Sequence, residues 1–221
     1  MKIILEQDQQ LYFTSDTHYN HKNICRGVSE WKDKNNNVPV NQTRDFKTLD
    51  HMNSTIVDNI NNTVGENDVL VHMGDFSFGG FESIIEFRKR IMCKNIVLIC
   101  GNHDKFLREN KDGVQGYFKH VSSYDQLEIR RQVKKDLVER FSFICCHFPI
   151  ASFDGMNKDN YHLFGHVHLN SQLKCLGNRS MDVGVDGNNL FPYSLDDVLK
   201  LLRGQKGKSL LPFDHHVEEV R

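Results

Sequence analysis

The sequence lacks the features that several large classes of protein require. None of its six cysteines forms a C-x-x-C pair, which argues against a zinc ribbon. No apolar run approaches the roughly 20 residues needed to span a bilayer. The opening MKIILEQDQQ has no long apolar core, so we expect no signal peptide. Cysteines inside apolar runs are typical of buried, reduced thiols, and we therefore expect a cytoplasmic protein without a membrane partner.

An excess of charge of one sign is also missing. The chain has 28 Lys and Arg against 29 Asp and Glu. It therefore lacks the broad positive field by which proteins bind nucleic acid unspecifically. This balance, together with the lack of a clustered basic and aromatic face, weakens a nucleic-acid-binding module as the function. A small phosphorylated ligand is compatible with this charge balance. The sequence does not indicate an oligomeric state.

What is present is the pattern of one α/β domain. The 221 residues suffice for one sizeable domain, no repeat or linker divides them, and short apolar runs alternate with helical patterns. We place the domain at 1–203 and a loosely attached tail at 204–221. The predicted strands are Lys2–Leu5, Leu11–Ser15, Asp68–Met73, Asn95–Cys100, Phe141–Cys146, His162–Gly165 and Met181–Val185. The segment Val121–Gln132 is ambiguous, and its alternation of apolar and polar residues favours a strand over a helix.

Three segments have the signs of helices. Apolar residues at spacings of three and four predict one helix over Thr43–Asn62 and a second over Phe81–Met92. Ser194 and Asp197 resemble a capping box, which predicts the start of a third helix. The Asn-rich segment Trp31–Gln42 is predicted to be a loop.

Five short polar clusters follow five of the predicted strands. In an open α/β sheet, ligands bind outside the carboxyl ends of strands, so clusters that are distant in sequence can converge on one site. Side chains two residues apart at the end of an extended strand point the same way, as holds within two of these clusters. The clusters are D-x-H at 16–18, G-D at 74–75, G-N-H-D at 101–104, His147, and G-H-V-H at 165–168.

The residue types in these clusters are those of a metal site. Carboxylate, imidazole and amide groups without thiolate suit Mn, Fe, Zn or Mg, and do not suit an iron–sulfur cluster. Seven of these groups acting as ligands would be too many for one ion with open positions, and suit two ions roughly 3.5–4 Å apart that share a carboxylate. For any single histidine the alternative is a solvated or hydrogen-bonded structural role, and for G-N-H-D it is an Asn/Gly turn between elements. All five clusters in this order favour the metal site.

These blocks, in this order, resemble the calcineurin-like metallophosphoesterase superfamily, over a stretch from Asp16 to about Asp186. The segments FTSDTHYNHKNI and VHMGDFSFGG resemble a branch of compact bacterial and phage members. The resemblance implies a four-layer α-β-β-α sandwich of two mixed sheets, with the site at one rim. It also implies a role for each residue. Asp16, His18 and His168 would bind the first ion, Asn102, His147 and His166 the second, Asp75 both, and His103 would face the substrate without binding metal.

One departure from the superfamily narrows the expected function. Phosphoprotein phosphatases have G-D-x-x-D-R-G where this chain has GDFSFGG, so the arginine that would grip a phosphate there is missing. We therefore expect a phosphodiesterase acting on nucleotides or nucleic-acid ends. A phosphomonoesterase and a non-catalytic protein-binding scaffold of the same fold are the alternatives. The intact ligand set speaks against the scaffold.

The expected chemistry follows from the ions. Water bound to a divalent ion loses its proton near neutral pH, which supplies a nucleophile for in-line attack. His103 is the expected general acid for the leaving group. Manganese is the first expected metal, with Fe, Zn, Mg and Ni as alternatives. His21, Arg44 and Asn102 are candidates for substrate contacts. A surface histidine and an exposed helix-start arginine are the alternatives for the first two.

Overall fold

The computed structural model describes residues 1–134, 136–171 and 175–205. In chain order, the strands and helices are β1 Lys2–Leu5, β2 Leu11–Thr14, α1 Leu49–Thr63, β3 Val69–His72, α2 Gly80–Arg90, β4 Asn95–Ile99, α3 Lys105–Arg108, β5 His120–Ser122, β6 Tyr124–Lys134, β7 Leu137–Cys146, β8 Asn160–Phe164, β9 Cys175–Gly177, β10 Ser180–Asp182, β11 Tyr193–Ser194 and α4 Leu195–Leu202.

The strands form two mixed sheets. One sheet has five strands in the order β11-β2-β3-β4-β5, in which β2 to β5 are parallel and β11 is antiparallel. The other has six strands in the order β1-β6-β7-β8-β10-β9 and combines parallel with antiparallel pairs. The predicted sandwich of two mixed sheets flanked by helices, in a single domain, is confirmed.

The five-stranded sheet is buried on both faces, which explains its continuous apolar runs. Val71 of β3 and Val97 of β4 belong to the core between the two sheets. Their neighbours Leu70 and Leu98 point the other way, into a second core that they share with α1 and α2. Neither of these two cores contains a residue of the polar clusters.

The first predicted helix begins later than its periodicity indicated. It was expected from Thr43, but α1 begins at Leu49, and the Thr48 side chain caps it by accepting the His51 backbone N–H. The preceding segment is held extended because the backbone N–H of Arg44 donates to the Ile24 carbonyl at 2.7 Å. A tertiary contact thus overrides the local helical pattern.

The third helix begins as predicted. Ser194 accepts the Asp197 backbone N–H, and Asp197 accepts the N–H of Ser194, which completes the capping box of α4. The predicted tail lies outside the described residues, apart from positions 204 and 205. Within the part of the chain that the structure describes, no helix is long and apolar enough to cross a bilayer. The cytoplasmic location stays a prediction.

Candidate metal centre

The five polar clusters meet at one end of the sandwich. Three of them follow parallel strands of the five-stranded sheet, and two follow strands of the six-stranded sheet, so both sheets contribute to one site. The clusters 16–18, 74–75 and 101–104 come after β2, β3 and β4, and His147 and 165–168 come after β7 and β8.

Short hydrogen bonds join the clusters to one another. The backbone N–H of Asp16 donates to the Gly74 carbonyl at 2.9 Å, and that of Gly165 donates to the His147 carbonyl at 2.9 Å. Between the sheets, the backbone N–H of His166 donates to the Asp16 carboxylate at 3.0 Å. Gly74 has φ +104°, and a Cβ there would lie 2.8 Å from His147 Nδ1. Glycine is therefore required where these two chain segments cross.

Asp16, His18 and His168 form a first group that could hold a metal ion. His18 Nε2 lies 3.1 Å from His168 Nε2, and His168 Nε2 lies 3.5 Å from Asp16 Oδ1. Ion–ligand bonds of about 2.1 Å require ligand atoms roughly 3.0–3.4 Å apart. Two of the distances are close to this range, and the third, 3.9 Å from His18 Nε2 to Asp16 Oδ1, would need a small side-chain shift to fit one ion.

Asp75, His147 and His166 form a second such group. Asn102 joins it, because its Oδ1 lies 3.1 Å from His147 Nε2 and 3.0 Å from His166 Nδ1. Asp75 Oδ2 lies 3.4 Å from His147 Nε2 and also 3.6 Å from His18 Nε2 of the first group. One carboxylate oxygen thus faces both groups, as a bridging ligand must.

Hydrogen bonds on the far side of two rings fix their orientation. His147 donates from Nδ1 to the Met73 carbonyl at 2.8 Å, and His168 donates from Nδ1 to Asp186 Oδ2 at 2.6 Å. Each ring is thereby turned with its Nε2 toward the site. Histidines that bind metal are oriented in this way by a carboxylate or a carbonyl.

Comparison with known proteins supports the same assignment. The sequence model of the family described as Calcineurin-like phosphoesterase matches residues 10–182. The chain belongs to this family. It is therefore a metal-dependent phosphoric ester hydrolase by family, and the two side-chain groups are where its divalent ions would bind.

Two individual proteins resemble this phosphoesterase over most of their length. An uncharacterized protein of Methanocaldococcus jannaschii is 28% identical over 206 residues, which cover 90% of this chain and 94% of the relative. The crystal structure of a protein of unknown function from Aquifex aeolicus has a TM-score of 0.58 and 23% identity, and covers 88% of this chain and all of the other. The second likeness concerns the fold alone. Membership of the compact bacterial and phage branch stays a prediction.

The backbone of the phosphoesterase is strained at its candidate ligands. Five of them have a positive φ, a region that costs residues other than glycine of order 1–3 kcal/mol each and is concentrated at functional sites. The surrounding hydrogen bonds hold these side chains toward the site at that cost. The five are Asp16 (φ 56°), His18 (47°), Asp75 (53°), His166 (71°) and His168 (50°).

The buried charges of the site favour a cation. Burial raises the pKa of Asp16 to about 7. Burial alone would raise the pKa of Asp75 too, but the hydrogen bond and charge of His147 hold it well below its ordinary value. Burial also lowers the pKa of His18 well below its ordinary value, which keeps this imidazole neutral. The buried carboxylates of Asp16 and Asp75, beside the neutral imidazole of His18, would be stabilised by the positive charge that bound metal supplies.

Arg44, a predicted substrate contact, lines the cavity in front of the candidate ligands and is bonded to protein groups. Its side chain is buried, with Nε 2.7 Å from Asp186 Oδ1 and Nη2 2.9 Å from Asp186 Oδ2. It also donates to the carbonyls of Asp16 and Thr17, at 2.6 and 2.9 Å. The same Asp186 accepts from His168, so Arg44 positions a ligand through Asp186. No sequence motif indicated this role for Asp186.

Asp104 is a second supporting residue that sequence reasoning did not single out. Its buried carboxylate accepts the backbone N–H groups of Asp75 at 2.7 Å, Phe76 at 3.0 Å and Gly101 at 2.8 Å. Burial raises its pKa, and these hydrogen bonds act against that rise. Asp104 therefore ties the loop after β3 to the loop after β4. Its place as the last letter of G-N-H-D was the available signal.

His103 and His21 border the two groups without belonging to either. His103 Nε2 lies 3.9 Å from Asp75 Oδ2, its side chain is 42% exposed, and its backbone N–H donates to Asp75 Oδ1 at 2.9 Å. The His21 ring stacks on Phe78, with 3.7 Å between ring centroids. Both histidines, together with Asn102, line a cavity of about 690 Å³ in front of the candidate ligands.

Proposed function

We propose that this phosphoesterase is a phosphodiesterase that hydrolyses the P–O bonds of nucleotides or nucleic-acid ends with two divalent ions, manganese before Fe, Zn, Mg or Ni. The position of Asp75 Oδ2 between the two side-chain groups is the observation that carries the proposal. Asp16, His18 and His168 would hold one ion, Asn102, His147 and His166 the other, and Asp75 both. Bound ions would supply a nucleophile at neutral pH and neutralise charge on the phosphate.

The charge of the cavity wall supports a diester over a monoester. A phosphomonoester carries more negative charge than a diester near neutral pH. Among the described residues that line the cavity, Arg44 is the only Lys or Arg, and its guanidinium is paired with Asp186. Apart from the two proposed ions, the described wall offers a dianionic group no unpaired Lys or Arg, so a substrate with a single negative charge fits best.

A hydrolysis panel with added Mn²⁺ tests this proposal. We expect higher kcat/KM for bis-p-nitrophenyl phosphate and a dinucleotide than for p-nitrophenyl phosphate. A preference for the monoester would contradict the diester assignment. Well under one ion per purified chain, together with no hydrolysis of any ester, would instead favour the non-catalytic scaffold.

His103 is proposed to donate a proton to the leaving oxygen. Its ring faces the cavity, and the bond from its backbone N–H to Asp75 fixes its loop against the shared ligand. We expect His103→Ala to lower kcat for a dinucleotide by about 10²–10⁴, the usual contribution of a general acid. The loss should be much smaller for bis-p-nitrophenyl phosphate, because nitrophenolate leaves without a proton.

Metal content and thermal stability serve as controls for this variant. His51→Ala, which changes an exposed histidine of α1, should leave both activities unchanged. Equal losses on the two substrates would show that His103 does not act as the acid.

A further inference from the structure

The outer half of the cavity has a different chemistry from the metal-binding half. We propose that it is a binding site for the nucleobase of the substrate, with Trp31, His21 and Phe78 as its aromatic wall and the side-chain amides of Asn41 and Gln42 facing the base edge. The inference rests on the proposed function, since it concerns what the same cavity recognises beyond the phosphate.

The aromatic wall starts beside the reacting groups and runs outward. The ring centroids of Phe78 and His103 are 4.7 Å apart, and His21 stacks on Phe78 with an interplanar angle of 4°. Trp31 meets the His21 ring edge-on, with 5.6 Å between centroids and 81° between planes. The wall therefore lies on the side of the cavity where His103 would protonate the leaving group.

Trp31 is exposed in a position that core packing does not explain. It is 37% exposed and lies in a polar, Asn-rich segment, yet it lines the cavity. Nucleobases stack on exposed aromatic side chains of this kind because every base has a π face. A base entering the cavity would cover apolar surface of Trp31 that is otherwise in contact with water.

Two amides complete the site. The exposed residues Asn41 and Gln42 line the same cavity, and within the described part of the chain no hydrogen bond to their side-chain amides is found. Their backbone is nevertheless held in place, because a 3-10 helix spans Val40–Gln42 and the Thr43 hydroxyl donates to the Pro39 carbonyl at 2.9 Å. Each amide offers both donors and an acceptor, which the edge of a base can pair with.

The charge of this region favours a base over a second anionic group. The wall consists of aromatic rings and neutral amides, and the neighbouring guanidinium of Arg44 is already paired with Asp186. A further phosphate at this position would find no free arginine or lysine among the described lining residues. A flat, neutral heterocycle matches what the wall offers.

The fluorescence of Trp31 provides a test that does not depend on catalysis, because Trp31 is the only tryptophan of the chain. We would titrate the Mg²⁺-loaded protein with AMP and, in parallel, with ribose 5-phosphate, which lacks the base. We expect saturable quenching by AMP and tighter binding of AMP than of ribose 5-phosphate by calorimetry. Equal affinities for the two ligands would overturn the proposal.

Variants of the wall separate stacking from folding. Trp31→Ala and Phe78→Ala should each weaken AMP binding by roughly 5- to 100-fold, as expected for a lost stacking partner, while ribose 5-phosphate affinity stays unchanged. Trp31→Phe should restore most of the AMP affinity. Phe191→Ala, which changes a 41% exposed aromatic outside the cavity lining, is the matched control. Unchanged AMP affinity in Trp31→Ala would contradict the site, and retained ribose 5-phosphate binding reports that each variant is folded.

Failure of this inference can be told apart from failure of the proposed function. Hydrolysis of bis-p-nitrophenyl phosphate without any preference for AMP would reject the base site and leave the phosphodiesterase standing. A clear preference for AMP without hydrolysis of any diester would reject the phosphodiesterase and leave the base site standing.

Discussion

At the scale of single residues, the candidate metal site lowers the stability of the fold through strained backbone conformations. A positive φ costs conformational free energy at the candidate ligands, and it turns their side chains in directions that an ordinary strand end does not provide. His166 is suited to a test of this cost, because it is exposed and because substitution by glycine or by alanine removes the same ring contacts. The effect of backbone strain on the free energy of unfolding can therefore be measured at this position separately from the effect of metal binding.

We expect His166→Gly to make the metal-free protein more stable than His166→Ala by roughly 1 kcal/mol. A left-handed backbone costs an L-residue about 1–2 kcal/mol, and the greater freedom of glycine in the unfolded chain offsets about 0.4–1 kcal/mol of that. Urea denaturation of the two chelated variants measures the difference, and both should bind less metal than the unchanged protein.

The neighbouring Val167 is the control for this comparison, because it is exposed and is not among the described residues with positive φ. There the order should reverse, with Val167→Ala more stable than Val167→Gly. If alanine were also the better residue at 166, the strain attributed to His166 would be absent.

At the scale of elements, the late start of α1 is what allows Arg44 to support the metal site. A helix from Thr43 would have carried Arg44 along its surface. The extended segment instead brings its guanidinium onto Asp186 and onto two carbonyls of the loop after β2. The beginning of α1 is thus coupled to the orientation of His168.

We expect Arg44→Lys to lower the affinity for the first metal ion by about 10- to 100-fold, the usual effect of losing a group that orients a ligand. A lysine cannot contact both oxygens of Asp186 and the two carbonyls at once. At saturating metal, KM for bis-p-nitrophenyl phosphate should be unchanged. Metal titration followed by steady-state kinetics measures both effects.

Arg26→Lys provides the matched control, since Arg26 pairs with the exposed Asp45 and bonds to Thr43 without reaching the site. It should leave metal affinity unchanged. A raised KM with unchanged metal affinity in Arg44→Lys would show that Arg44 binds the phosphate after all.

At the scale of the whole molecule, local patterns predicted the sheets and the placement of the polar clusters, because both depend on short-range regularities. Buried strands are short apolar runs, and polar residues after parallel strands share an edge. The supporting bonds are not local. The Arg44–Asp186 pair joins residues 142 positions apart, and no pattern near either residue indicates its partner. The wall made by Trp31 and His21 likewise depends on how a loop folds over the site.

The separation of the apolar cores from the candidate metal ligands leads to a prediction about metal removal. The apolar cores on the two faces of the five-stranded sheet contain none of the candidate ligands. We therefore expect chelation to abolish hydrolysis while the circular dichroism spectrum stays that of the folded protein. Free metal at about 100 times Kd stabilises a folded protein by about 2.7 kcal/mol per site. In a chain of this size, each occupied site therefore raises Tm by roughly 5–10 °C.

Calorimetric melting with and without Mn²⁺ measures this shift, and two variants locate it. Asp75→Asn alters the ligand that faces both groups, so it should remove most of the rise in Tm. His166→Ala changes one group only and should keep part of it, because Asp16, His18 and His168 are intact. A chelated protein that is unfolded would contradict the independence of the cores. An equal rise in the Asp75→Asn protein would show that the ions bind elsewhere.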